Sequence, residues 1–111
     1  MSNRSQGATA LVGIAGMRVV AQCVVDGEWH LEIETTVDAV GCGECGTRAV
    51  GHGRRRVKIR DLPISGRPVV LVWAKRMWRC PEVDCERATW SERHPQIAPR
   101  AALTERARAE F

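Results

Sequence analysis

The chain has 111 residues, enough for one compact domain with a small core and too few for a multi-part enzyme. Lys and Arg number 17 against 13 Asp and Glu, a formal charge of +4, and 44% of the residues are apolar, as in a folded soluble protein. The longest apolar run, Val69 to Ala74, is far too short to span a bilayer.

Residues 1–10 are small and polar and are expected to be flexible. Arg4 followed by the apolar stretch Ala8 to Ala15 faintly resembles a signal peptide, but Gly13 and Gly16 break it. Without export the compartment is the reducing cytoplasm, where paired cysteines favour metal over disulfide.

Met17 to Asp26 alternates as a strand, with Met17, Val19, Ala21, Cys23 and Val25 on one face. Asp26-Gly27-Glu28 is a turn, and Trp29 to Val37 returns with Trp29, Leu31, Ile33, Thr35 and Val37 inward and His30, Glu32 and Glu34 outward. Gly41 to Gly46 is a tight turn. Arg54 to Arg60 is a short strand, Asp61 to Gly66 a loop, and Pro68 to Arg79 a longer strand whose opening, apolar on both faces, marks it as central. Ala88 to Ser91 is a further short strand. Pro99 opens a helix carrying Leu103, Ala107 and Phe111 on one stripe. The expected fold is mainly β, a small α+β module of β-hairpins with a C-terminal helix. Its expected divisions are 1–10, a β domain over 11–97, and the opening of a further helical unit over 98–111.

Cys42-Gly43-Glu44-Cys45 and Cys80-Pro81-Glu82-Val83-Asp84-Cys85 form two knuckles separated by 34 residues. Two such turns bring four thiolates to one point, the ligand set of a structural zinc site. Gly43 and Gly46 suit a turn whose backbone N–H groups point at the sulfurs. A disulfide framework and an iron or iron–sulfur centre are the competing readings of the same cysteines. Four sulfurs leave no open coordination position, so metal catalysis is not expected, and no Ser/His/Asp or Cys/His pairing stands in for it. Cys23, on the apolar face of the first strand, reads as a buried core thiol. His52 is a spare ligand candidate, His30 reads as solvated, and His94 has no partner nearby in sequence.

The charge is unevenly spread. Residues 46–79 hold ten Lys/Arg and one acid, Asp61, a local charge of +9, and the rest of the chain sums to −5. Arg48, Arg54, Arg55, Arg56, Lys58, Arg60, Lys75, Arg76 and Arg79 are the candidate nucleic-acid contacts. Arg56, Lys58 and Arg60 share one strand face at about 7 Å intervals, suited to phosphates. A solvated face or an acidic protein partner is the bland alternative. Trp73, Trp78 and Trp90 beside the basic strand either stack on bases or roof the metal site, and roofing is the commoner use.

The order of a Gly-turn hairpin, Cys42-x-x-Cys45, Arg60-Asp61-Leu62-Pro63, Gly66-x-Pro68, a basic-x-Trp-x-Cys lead into the second pair, and Glu92 resembles the N-terminal zinc finger of bacterial ISL-three insertion-sequence transposases, from about Leu11 onward. The resemblance implies a zinc-stapled, zinc-ribbon-like module over 11–97 that helps hold element-end DNA, with 98–111 as the opening of the helix-turn-helix that follows it and precedes an acidic-triad nuclease domain. It implies Cys42, Cys45, Cys80 and Cys85 as zinc ligands and a backbone-contact role at His52. The C-x-x-x-x-C spacing of the second pair departs from the family's usual C-x-x-C. On this reading the chain is not catalytic by itself, is a truncated relative or fragment, binds double-stranded DNA, and has no membrane or small-molecule partner. Self-association, a protein-interaction zinc module and a rubredoxin-like iron protein remain the alternatives.

Overall fold

The computed structural model describes residues 12–37 and 39–110. The expected flexible N-terminus and the final apolar position, Phe111, lie outside them. The described chain folds as β1 (Met17–Val25), β2 (Glu28–Thr35), β3 (Val50–Ile64), β4 (Arg67–Arg79), β5 (Thr89–Ser91) and α1 (Glu105–Glu110). The sheet runs β1-β2-β4-β3, with β5 added to the far end of β4. Consecutive hairpins pair antiparallel, and β2 and β4 lie parallel. The fold is mainly β with one short terminal helix, as the patterning implies.

One face of the sheet carries the core. Leu31 and Ile33 from β2, Ile59 from β3, and Val69, Leu71 and Trp73 from β4 pack with Val12, Ile14 and Ile97, which cross over them. β4 is central, as its doubly apolar start predicts. Its other face presents Val70, Val72 and Ala74, also buried although no second layer among the described residues covers them. Ion pairs between β2 and β3 span β4 on that side instead.

Several local readings change. β1 bulges between Val19 and Ala21. The extra residue inverts the side-chain phase. Val19 stays buried, whereas Ala21 and Cys23 turn to the face of Glu32 and His30. Cys23 is therefore exposed, not a core thiol. Val37 lies beyond β2 and is exposed.

The expected loop Asp61 to Gly66 is mostly strand. β3 continues to Ile64 and reverses at Ser65-Gly66, both with positive φ (53° and 75°). That conformation matches the twist of a tight hairpin, and a glycine adopts it without a Cβ penalty.

The terminal helix begins at Glu105, not at Pro99. Residues 102–104 are held extended against β3, with Arg60 N–H donating to Ala102 O at 2.9 Å and Thr104 N–H to Arg60 O at 3.0 Å. Thr104 Oγ1 then accepts the Ala107 N–H at 3.2 Å, the N-cap bond that starts α1. Beneath it, Asp61 is fully buried: Thr104 Oγ1 donates to Oδ1 at 2.7 Å, and Arg106 donates to both oxygens.

Candidate metal centre and basic ribbon

The antiparallel pairing of β3 with β4 builds the metal site. Val50 at the start of β3 lies opposite Arg79 at the end of β4. The loop entering β3 and the turn leaving β4 are thus brought to the same end of a long ribbon. The first holds Cys42 and Cys45, the second Cys80 and Cys85.

All four sulfurs lie within 4.8 Å of one another. Cys42 Sγ is 3.6 Å from Cys85 Sγ, and Cys45 Sγ is 3.5 Å from Cys80 Sγ. Four sulfurs on tetrahedral zinc at ~2.3 Å bond lengths stand roughly 3.8 Å apart, so the donor set fits that ion. The separations far exceed a disulfide bond of ~2.05 Å, and all five cysteines are free. Bound there, zinc supplies a closed cross-link between the two ends of the ribbon. No protein-free coordination position remains for catalysis.

The knuckles carry the N–H···S pattern that such a site uses. Amides of Glu44 and Cys45 point at Cys42, that of Thr47 at Cys45, that of Glu82 at Cys80 and that of Arg87 at Cys85. Gly46 N–H donates to Cys42 O at 2.8 Å with φ at 77°, closing the first turn. Gly43 serves differently: a Cβ there would stand 3.0 Å from Arg87 Nη1. The Thr47 hydroxyl and amide, with help from Cys80, lower the Cys45 thiol to about 6. The Glu82 amide favours a thiolate at Cys80, yet burial and the neighbouring sulfurs push it up to about 12. Crowded thiols do not all ionise unaided; a divalent cation resolves the conflict.

Around the site, Trp78 is buried and pairs across strands with half-buried Trp90. Arg76 lies 5.8 Å from the Trp78 ring centroid and Arg87 lies 4.6 Å from that of Trp90. Trp73 belongs to the main core. The tryptophans roof and fill rather than present open stacking faces. His52 is exposed on β3 and outside the sulfur cluster. His94 does find a partner: its Nδ1 accepts the Gln96 N–H at 3.1 Å, so Nε2 is assigned the proton and donates to Ala15 O at 2.8 Å.

The basic residues divide into two groups. Arg54, Arg56 and Arg60 on β3 reach Glu34, Glu32 and Glu28 on β2 at 2.9, 3.2 and 3.1 Å. These acids lie outside the 46–79 segment, so its linear charge count misses them. Arg18 joins Arg54 on Glu34. Burial raises the Glu34 pKa, but the two arginines outweigh it and hold the carboxyl below its ordinary value. Arg76 donates to Val37 O and to Thr35 O, and its backbone N–H to Glu92 Oε1. Glu92 Oε2 in turn accepts from Thr35 Oγ1 at 2.8 Å, tying β4 to the end of β2. Arg48, Arg55, Lys58 and Arg79 have no ion-pair partner among the described residues; Lys75 lies over the Trp73 ring at 5.2 Å.

Residues 38–85 match the family model described as the zinc-finger of transposase IS204/IS1001/IS1096/IS1165. The match covers both knuckles, all of β3 and β4, and no part of β1, β2 or α1. This stretch is similar to the zinc ribbon of that transposase family, and its four clustered cysteines fit such a ribbon. No curated protein and no solved structure matches the chain. Among the described residues no helix is long and apolar enough to cross a membrane.

Proposed function

We propose that this chain is a DNA-binding module of a transposase, which grips the ends of a mobile element through its basic ribbon while a structural zinc ion holds that ribbon rigid. The observation that carries the reading is the position of the sulfur cluster. It closes the same end of the β3/β4 ribbon on which Arg48, Arg55, Lys75 and Arg79 are gathered. A cross-linked cationic surface suits a polyanion, because phosphates relieve its self-repulsion and release counterions. The module positions DNA and does no bond chemistry of its own.

The test is titration of an inverted-repeat duplex with zinc-loaded protein over a salt series. Binding is expected to weaken linearly in log–log form as salt rises. Absence of binding at low salt overturns the reading and leaves the acidic-protein docking surface in its place.

A further inference from the structure

The sheet separates its cations into two faces with opposite roles. On one face the pairs run in a ladder: Arg54 to Glu34, Arg56 to Glu32, Arg60 to Glu28. Residue numbers rise by twos on β3 as they fall by twos on β2, and the arms span the small residues of β4 between them. The rung at position 58 is the exception, for Lys58 corresponds there to His30. Arg54 also lies directly opposite Arg76, but both have acceptors, Glu34 for one and the carbonyls of Thr35 and Val37 for the other.

On the reverse face Arg55 lies directly opposite Lys75, and Arg79 follows on the same side of β4. Like charges set opposite one another destabilise a sheet. No carboxylate among the described residues pairs with any of these three. Lys75 and Arg79 are four residues apart, about 13 Å of strand. Over that length a duplex presents about eight negative charges. Arg79 directly precedes Cys80, so the metal fixes where this face ends.

We infer that the phosphate backbone of duplex DNA lies along the Arg55–Lys75–Arg79 face of the ribbon, and that Arg54, Arg56 and Arg60 are internal braces that do not contact it. The inference rests on the DNA-binding reading and names the surface that performs it.

The experiment measures duplex affinity and salt slope for the zinc-loaded wild type, the triple variant R55A/K75A/R79A, and the swap R56E/E32R. The swap preserves one brace with its polarity reversed. Retained zinc stoichiometry reports that each protein is folded. The triple variant is expected to lose about three units of salt slope and ~100-fold or more in affinity at moderate salt. The swap is expected to bind as the wild type does. Wild-type binding whose slope survives the triple substitution, or drops with the swap, overturns this assignment alone. Wild-type protein that fails to bind at low salt overturns the DNA reading and this face with it.

Discussion

Arg106 grips Asp61 from 45 positions along the chain, its Nε donating to Oδ1 at 2.9 Å and its Nη2 to Oδ2 at 2.5 Å. The carboxylate is wholly buried, and Thr104 donates to it as well while capping α1. One side chain on β3 thereby fixes both the start of the helix and the strand-like segment before it. Removing one partner of a buried ion pair leaves the other uncompensated. Asp61→Ala is expected to cost about 3–5 kcal/mol. Thermal unfolding of the zinc-loaded variant checks this; a melting temperature within a degree or two of wild type would sink it.

The same carboxylate sets an acid limit. Burial raises the Asp61 pKa, but Arg106, Thr104 and the Leu62 amide more than offset it and leave it below its ordinary value of 3.8. Its contribution is therefore complete above that value and disappears as pH falls through the lower folded-state pKa. The stability gap between wild type and Asp61→Asn is expected to stay constant from neutral pH to about 4 and to narrow below it. Comparing the two proteins at each pH cancels the acid sensitivity of the metal site. A gap that widens on acidification contradicts the assignment.

Asp61 shows what a linear reading can and cannot reach. The Arg-Asp-Leu-Pro element was legible as a signature, and its neighbouring Pro and Gly pointed to a loop. The partners that make a buried aspartate tolerable, Thr104 and Arg106, lie more than 40 positions away, so no local pattern reveals them. The four cysteines were legible because thiolate spacing reports one shared destination. The inward set on β2 was also plain, since alternation there is unbroken. On β1 alternation misled, because the bulge after Val19 adds one residue and reverses every side chain beyond it. The braces at Arg54, Arg56 and Arg60 were hidden for a topological reason. β2 and β3 are separated by β4, and only the strand order brings their glutamates and arginines within reach.

That bulge makes a chemical prediction. Cys23 is exposed beside His30 in a groove also lined by Glu32, Arg56 and Lys58, whereas the other four thiols converge on the metal site. Zinc-loaded native protein is expected to take up one equivalent of a thiol-alkylating reagent, at Cys23, and Cys23→Ser protein none. Chelation with denaturation should raise the wild-type count to five. Peptide mapping after labelling decides it, and a native protein unreactive at Cys23 would mean that the strand phase is not inverted.

Zinc removal is expected to unfold the domain rather than loosen one turn. Cys42 and Cys45 lie between β2 and β3, and Cys80 and Cys85 between β4 and β5, so the ion joins stretches that no disulfide connects. Binding of structural zinc is worth ~10–16 kcal/mol, as much as or more than the ~5–15 kcal/mol net stability of a typical domain. Cys45→Ser and Cys80→Ser are each expected to lose tight metal binding and the cooperative thermal transition. Chelator treatment of the wild type should do the same, reversibly on adding zinc back. Trp78 and Trp90, which lie beside the site, provide the signal through their fluorescence. Cobalt substitution supplies an independent readout, since four thiolates around cobalt give intense charge-transfer absorption that a Ser variant weakens. A Cys45→Ser protein that stays folded with an excess of chelator would show that the fold does not depend on the sulfurs meeting at an ion.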